Sequence, residues 1–308
     1  MYRSILVPLD GSTFGEHALP VARTIARASG ATVHLAQVHV PTVKHTLARE
    51  PRREASRDAE NRTRERAYLE AIPARLGAEA DLKVVPVVLD GPIAQALAAY
   101  VATNAIDLVV MTTHGRGGVT RLWLGNVAAT LAHHLRVPLL LIRPEETPPE
   151  LTALRPFHQF LIPLDGSPLA EQILEPTLAL GALTGSAYTL VQIIDPLAQP
   201  GEVQIEYAAG LDYVVTEELR SAAEQYLSQV AAKVHAQGST VQTRVVIADH
   251  TAAALVDVAE ASGADVIALT THGRGALERL LVGSVTDKVV RSAAMPVLLY
   301  RPTDHDVR

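Results

Sequence analysis

Two stretches of this 308-residue chain carry residue types suited to holding an anion, and they are almost the same stretch. Thr112-Thr113-His114-Gly115-Arg116-Gly117-Gly118 returns as Thr270-Thr271-His272-Gly273-Arg274-Gly275-Ala276. Glycines at 115 and 273 let main-chain N–H groups approach a phosphate without a Cβ in the way, and Arg116 and Arg274 add positive charge. In each copy nine residues separate that glycine from a second, Gly125 or Gly283, which opens an apolar segment. Strand, glycine turn and helix start together make an anion-binding arrangement. The same glycines could instead serve only a tight connection between strand and helix.

Other residues divide in the same way between chemistry and structure. Asn126 and Ser284 follow the second glycines at the expected N-cap position, where a helix start offers partial positive charge and side chains able to donate. Capping alone would also explain them. Asp10 and Asp165 end apolar runs and could accept from ribose hydroxyls or lie near a metal-bound phosphate; Asp-Gly-Ser is equally ordinary turn chemistry. His114 and His272 lack a nucleophile partner, since no Gly-x-Ser-x-Gly occurs, and a turn-stabilising hydrogen bond is their expected role. His133 and His134 are adjacent on a helix and cannot share a ligand, and no His-Glu-x-x-His is present, so no dedicated metal site is expected. The charged stretch from Arg52 to Arg66 mixes both signs and reads as a solvated helix face.

The elements that must position these residues alternate. Strand-like runs cover residues 4–9, 32–40, 82–89, 107–111 and 139–142, with helix-like runs at 16–28, 52–76, 92–103 and 126–136 between them. The second half repeats the order, with strands near 159–164, 187–194, 241–247, 266–269 and 297–300 and helices near 169–183, 214–236, 251–262 and 285–293. Such alternation predicts an α/β fold of parallel sheets flanked by helices, with ligands held beyond the carboxyl ends of the strands. A period of about 155 residues is too long for a solenoid and matches a duplicated domain. The proline-rich, acidic run Pro144-Glu145-Glu146-Thr147-Pro148-Pro149-Glu150 has linker composition. The expected division is a first domain at 1–145, a linker at 146–156 and a second domain at 157–303.

Composition excludes several classes. Hydrophobic residues make up 48% and charged ones 19%, which is globular rather than disordered. A net charge of −6 argues against nucleic-acid and anionic-membrane binding. The absence of cysteine removes disulfides, thiolate metal sites and cysteine nucleophiles. Neither a secretory signal nor a membrane span is legible, so a cytoplasmic protein is expected. The P-loop and the dinucleotide fingerprint are both missing.

Taken together, Leu-Val/Ile... at the first strand (Leu6-Val7-Pro8-Leu9-Asp10-Gly11-Ser12 and Leu161-Ile162-Pro163-Leu164-Asp165-Gly166-Ser167), the Thr-His-Gly-Arg-Gly turn and the final Pro-Leu/Val-Leu-Leu strand resemble the universal stress protein family, as a tandem member. The resemblance implies two doubly wound domains, each with a five-stranded parallel sheet of order 3-2-1-4-5. It implies binding of ATP or AMP, with magnesium or manganese arriving only with the nucleotide, in a stress-response regulatory or sensor role. On that basis Pro8, Leu9 and Asp10 (Pro163, Leu164 and Asp165 in the second half) would lie by the adenosine, and Val38 and Ile193 would meet adenine through the backbone. Thr112, His114, Gly115 and Arg116 with Gly125, Asn126 and Val127 would hold phosphates. Their counterparts would be Thr270, His272, Gly273 and Arg274 with Gly283, Ser284 and Val285. The family's ATP-binding branch has Gly-x2-Gly-x9-Gly-Ser/Thr. Thr112 and Thr270 replace its first glycine and Asn126 its Ser/Thr, so the second half keeps more of the pattern and binding is expected there first. The resemblance also implies pairing of residues 138–143 and 296–301 as a pseudo-dimer within one chain, and possible homodimers. A scaffold of the same family that binds no nucleotide and acts by dimerisation, and a slow ATPase, are the alternatives.

Overall fold

The computed structural model describes residues 2–41, 51–77, 82–114, 125–195, 206–271 and 283–302. The chain divides into two compact units, Met1–Pro156 and Phe157–Arg308.

The first unit runs β1 (Ser4–Pro8), a 3-10 turn at Gly15–His17, α1 (Ala18–Ser29), β2 (Thr32–His39), α2 (Pro51–Arg75), β3 (Val84–Asp90), α3 (Ile93–Thr103), β4 (Leu108–Thr112), α4 (Asn126–His134) and β5 (Leu139–Ile142). Its strands are ordered β3-β2-β1-β4-β5, and every pairing is parallel. The central strands are apolar on both faces because helices cover both: β4 is buried throughout, and Ile5, Leu6 and Val7 of β1 are fully enclosed. Outer strand β3 is largely exposed or intermediate.

The second unit runs β6 (Gln159–Pro163), α5 (Pro168–Glu171), α6 (Leu174–Gly181), β7 (Ala187–Ile194), α7 (Glu206–His235), β8 (Val241–Ile247), α8 (Thr251–Ala261), β9 (Val266–Thr270), α9 (Ser284–Ser292) and β10 (Val297–Tyr300). Its order is β8-β7-β6-β9-β10, again parallel, so both units have the expected 3-2-1-4-5 arrangement. At the amino edges the same device recurs: Asp107 accepts from Arg3 N and Ser4 N, and Asp265 from His158 N and Gln159 N.

Several elements differ from expectation for identifiable reasons. The helix expected over 169–183 is broken at residues 172–173. Pro176 has no N–H to give the carbonyl of residue 172 and its ring crowds that oxygen, which ends α5 early. Ser167 caps the short α5 by accepting from Ala170 N at 3.1 Å, with Pro168 in the first helical position. Helix α7 begins at Glu206 rather than near 214. Gly210 and the paired Val214-Val215 are weak helix signals, but an established helix adds residues at little cost. Helix α2 is not solvated on all sides: Leu69 and Ile72 are each no more than 1% exposed.

Residues 147–155 lie along α1. Arg23 Nη1 donates to Thr152 O at 2.7 Å, and Arg155 N donates to Thr24 Oγ1 at 2.8 Å.

Candidate functional site

In the first unit β1 is hydrogen-bonded to β2 on one side and β4 on the other, with Pro8 opposite Ala36 and Ile5 opposite Leu108. The strand order therefore reverses between β1 and β4, and the chain leaves the sheet in different directions there. A cavity of about 900 Å³ opens at that point. Strand ends supply one wall: Pro8, Leu9 and Asp10 after β1, Gln37 and Val38 of β2, and Met111 to His114 at the end of β4. The first turn of α4, from Gly125 to Ala128, supplies the facing wall. Helices α2 (Asn61, Arg64, Glu65) and α3 (Ile93, Leu97) close the sides.

Nine of the expected first-half residues thus meet in one place: Pro8, Leu9, Asp10, Val38, Thr112, His114, Gly125, Asn126 and Val127. Gly115 and Arg116 lie outside the described residues.

The turn after β1 is organised by Asp10. Its Oδ1 accepts from Ser12 N at 3.0 Å and from Ser12 Oγ at 2.6 Å, and Ser12 Oγ in turn accepts from Gly15 N at 3.2 Å. The local turn role foreseen for Asp-Gly-Ser is therefore real, and it fixes the carboxylate at the cavity wall. Asp165 makes the matching bond, accepting from Ser167 N at 2.9 Å.

Gly125 has a steric reason to be glycine. Its N–H donates to Thr113 O at 2.9 Å, and a Cβ at this position would lie 2.8 Å from the same oxygen. Gly283 repeats the contact with Thr271 O, at 2.8 and 2.9 Å. These glycines are also the N-caps, and neither provides a side-chain cap. That corrects the expectation for Asn126 and Ser284, which occupy the first helical position, one residue further in. The first intrahelical bond of α4 is Ala129 N to Gly125 O, so the N–H groups of Asn126, Val127 and Ala128 precede it and have no intrahelical acceptor.

His114 sits beside that helix start. Its Nδ1 is 3.1 Å from Thr113 Oγ1, and its main-chain carbonyl accepts from Thr112 Oγ1 at 2.9 Å, the turn-stabilising role expected of it. Its Nε2 is buried with no hydrogen-bond partner among the described residues. Burial, helped by the Arg143 guanidinium, holds the imidazole below its ordinary pKa. A neutral ring whose Nδ1 accepts from the threonine would present Nε2 as a donor.

In the second unit, Pro163, Leu164, Asp165 and Ile193 lie at the carboxyl ends of β6 and β7, Thr270 ends β9, and Gly283, Ser284 and Val285 start α9. His272, Gly273 and Arg274 lie outside the described residues. The start of α9 differs from that of α4 in charge. Asp287 stands in its first turn, paired with Arg291 at 2.8 Å, whereas α4 has no acidic residue there. A carboxylate at that place satisfies the helix dipole itself and opposes an incoming anion. A second cavity, of about 680 Å³, lies among α5, α6 and the end of α7 and includes none of the expected site residues.

Sequence reasoning missed the contribution of α2. The mixed charge of Arg52 to Arg66 predicts a solvated face, yet Asn61, Arg64 and Glu65 line the cavity. A usable signal existed: Asp58 and Glu65 are seven residues apart, on one face of a helix, in a chain with a histidine at the preceding strand end.

Comparison with known proteins agrees with this architecture. The sequence profile of the universal stress protein family matches residues 1–143 and again 156–301. The chain belongs to that family, as a tandem member. A universal stress protein of Mycobacterium tuberculosis is 28% identical over 203 residues, 65% of this chain and 63% of the relative. The match thus spans less than two thirds of that relative's length. A functionally unknown protein from Pseudomonas aeruginosa PAO1 has the same fold at 15% identity and a TM-score of 0.65, covering 98% of this chain and 94% of the other. A universal stress protein from Archaeoglobus fulgidus is similar at 17% identity and a TM-score of 0.63, covering 98% and 97%. Among the described residues no helix is long and apolar enough to cross a membrane.

Proposed function

We propose that the first unit binds an adenine nucleotide, ATP or AMP, and that the chain acts as a cytoplasmic stress-response sensor or regulator through that binding. The observation that carries this reading is the cavity at the strand-order reversal, which has a carboxylate, Asp10, on one wall and the start of α4 on the other. Helix N–H groups and the helix dipole suit phosphate oxygens. Asp10 suits ribose hydroxyls, and the main chain at Val38 suits the base. The volume falls within the usual range for small-molecule sites.

The expected preference for the second half is reversed in this proposal. Ser284 keeps more of the family pattern, but Asp287 beside it makes α9 the poorer anion site. Among the described residues no cluster of three metal-ligating side chains is present. Magnesium or manganese would therefore be carried by phosphate oxygens and water, and the chain's part would be to orient those phosphates. Association into a homodimer through the last strands belongs to the same family-based reading, and sedimentation velocity reads it directly.

One observation favours the scaffold reading: Gly125 and Gly283 are required by packing whether or not a ligand binds. Calorimetric titration of ATP and AMP into the full chain, together with denaturation and chromatography of released small molecules, separates the two. Saturable heat or released adenine nucleotide supports binding. Neither would leave the scaffold.

A further inference from the structure

His39, the last residue of β2, is fully buried between two carboxylates. Its Nε2 lies 2.9 Å from Asp58 Oδ1 and its Nδ1 lies 2.8 Å from Glu65 Oε2, both on α2. Ionised carboxylates only accept, and a neutral imidazole donates from one nitrogen alone. Only an imidazolium satisfies both contacts. The carboxylates lie at opposite ring nitrogens, so the group cannot close around one metal ion, in keeping with the absence of a three-ligand cluster among the described residues.

We propose that His39 is a positioning residue of the cavity: as a buried cation donating to Asp58 and Glu65 together, it fastens α2 over the end of β2 and so sets the wall made by Asn61, Arg64 and Glu65. The proposal rests on the nucleotide reading only for the ligand used as a probe. The other charges facing His39 extend the same fastening. Arg62 of α2 pairs with Asp90 at the end of β3, with Nη1 to Oδ2 at 3.2 Å, and its Nε lies 3.8 Å from Asp58 Oδ2. Asp90 is the register partner of His39. In the second unit the corresponding pair is Ile194 opposite Ile247, so the device belongs to the first unit alone.

Burial lowers the affinity of His39 for its proton, but the hydrogen bonds and charges of Asp58 and Glu65 outweigh it, and the net shift is upward from 6.5. A raised histidine pKa means that the fastening is fully present below about 6.5 and is lost as pH rises through the folded value.

The test uses the full chain without nucleotide first. Histidine NMR gives the His39 midpoint, and hydrogen exchange, corrected for intrinsic rates, reports the amides of residues 56–66 at pH 6 and pH 9. The expected results are a midpoint above the ordinary imidazole value and about tenfold less protection of α2 at pH 9, the scale of losing hydrogen bonds to a charged group. His39→Gln should show the weaker protection at both pH values. Should that variant not fold, Asp58→Asn carries the test by lowering the His39 midpoint, since it removes one of the two carboxylates that hold it up. A midpoint at or below 6.5 with equal protection at both pH values overturns the proposal. ATP affinity, measured in parallel, should fall with the protection; if ATP binds at neither pH, the nucleotide reading fails while exchange alone decides the clamp.

Discussion

Gly125 N–H donates to Thr113 O at 2.9 Å, and a methyl group added at Gly125 would press on that same oxygen from 2.8 Å. The helix that faces the cavity is thus seated directly on the end of the strand that lines it, with no space for a side chain between them.

Replacing Gly125 with alanine should therefore cost about 2 kcal/mol of stability, the usual scale of overpacking, and weaken nucleotide binding. Gly283→Ala, with its Cβ 2.9 Å from Thr271 O, should cost a similar amount but leave binding unchanged. Urea denaturation and calorimetric titration of both variants check this pair of outcomes.

Asn126→Ala should weaken ATP binding by about 1.5 kcal/mol, as the loss of one hydrogen bond to a charged group does. Ser284→Ala should leave the principal isotherm unaltered. Asp287→Asn should lower stability by about 0.5 kcal/mol through the helix dipole while making α9 a better anion site. Equal effects of the Asn126 and Ser284 changes would show that the acidic first turn of α9 does not discriminate.

Glu16 is 4% exposed and is held by Arg75, with both nitrogens at 2.7 Å, and by Tyr68 Oη at 3.1 Å. Removing the cation strands a buried carboxylate, whereas removing the carboxylate leaves a half-exposed arginine that water can serve. Arg75→Met should therefore cost about 2 kcal/mol, the value for a buried pair discounted for Arg75's exposure, and Glu16→Gln clearly less. Denaturant midpoints of the two variants measure the difference.

Apolar runs and glycine turns are local signals, and they were enough to place the strand ends; the order of the sheets was legible only through the resemblance to the universal stress protein family. The seven-residue spacing of Asp58 and Glu65 marks one shared face of α2, but it does not show that His39 is what that face meets. Asp58 and Glu65 lie 19 and 26 residues from His39, and charge on a helix does not reveal which face is covered. The placement of Asn126 differs from expectation for a subtler reason. An amide after a glycine has N-cap chemistry, but the close approach of Gly125 to Thr113 O makes the glycine itself the cap. The break before Pro176 could have been read from proline's missing donor; the apolar periodicity across it concealed the interruption.

His114 has a folded pKa below 6.5, so the unfolded chain binds its proton more readily. Stability from this residue is fully present above pH 6.5 and declines as pH falls toward the folded value. His39 titrates in the same window with the opposite sign, so the readout is the difference: the urea midpoint of the wild type relative to His114→Asn should fall between pH 7.5 and pH 5. A difference that does not change with pH would contradict this assignment to His114.

Photoaffinity labelling of the full chain with an azido-adenine analogue of ATP, followed by peptide mapping, tests the central claim most directly. The account predicts label displaced by excess ATP on first-unit peptides containing Val38 or residues 61–65. Label confined to residues 157–301, or label that ATP does not displace, would contradict it.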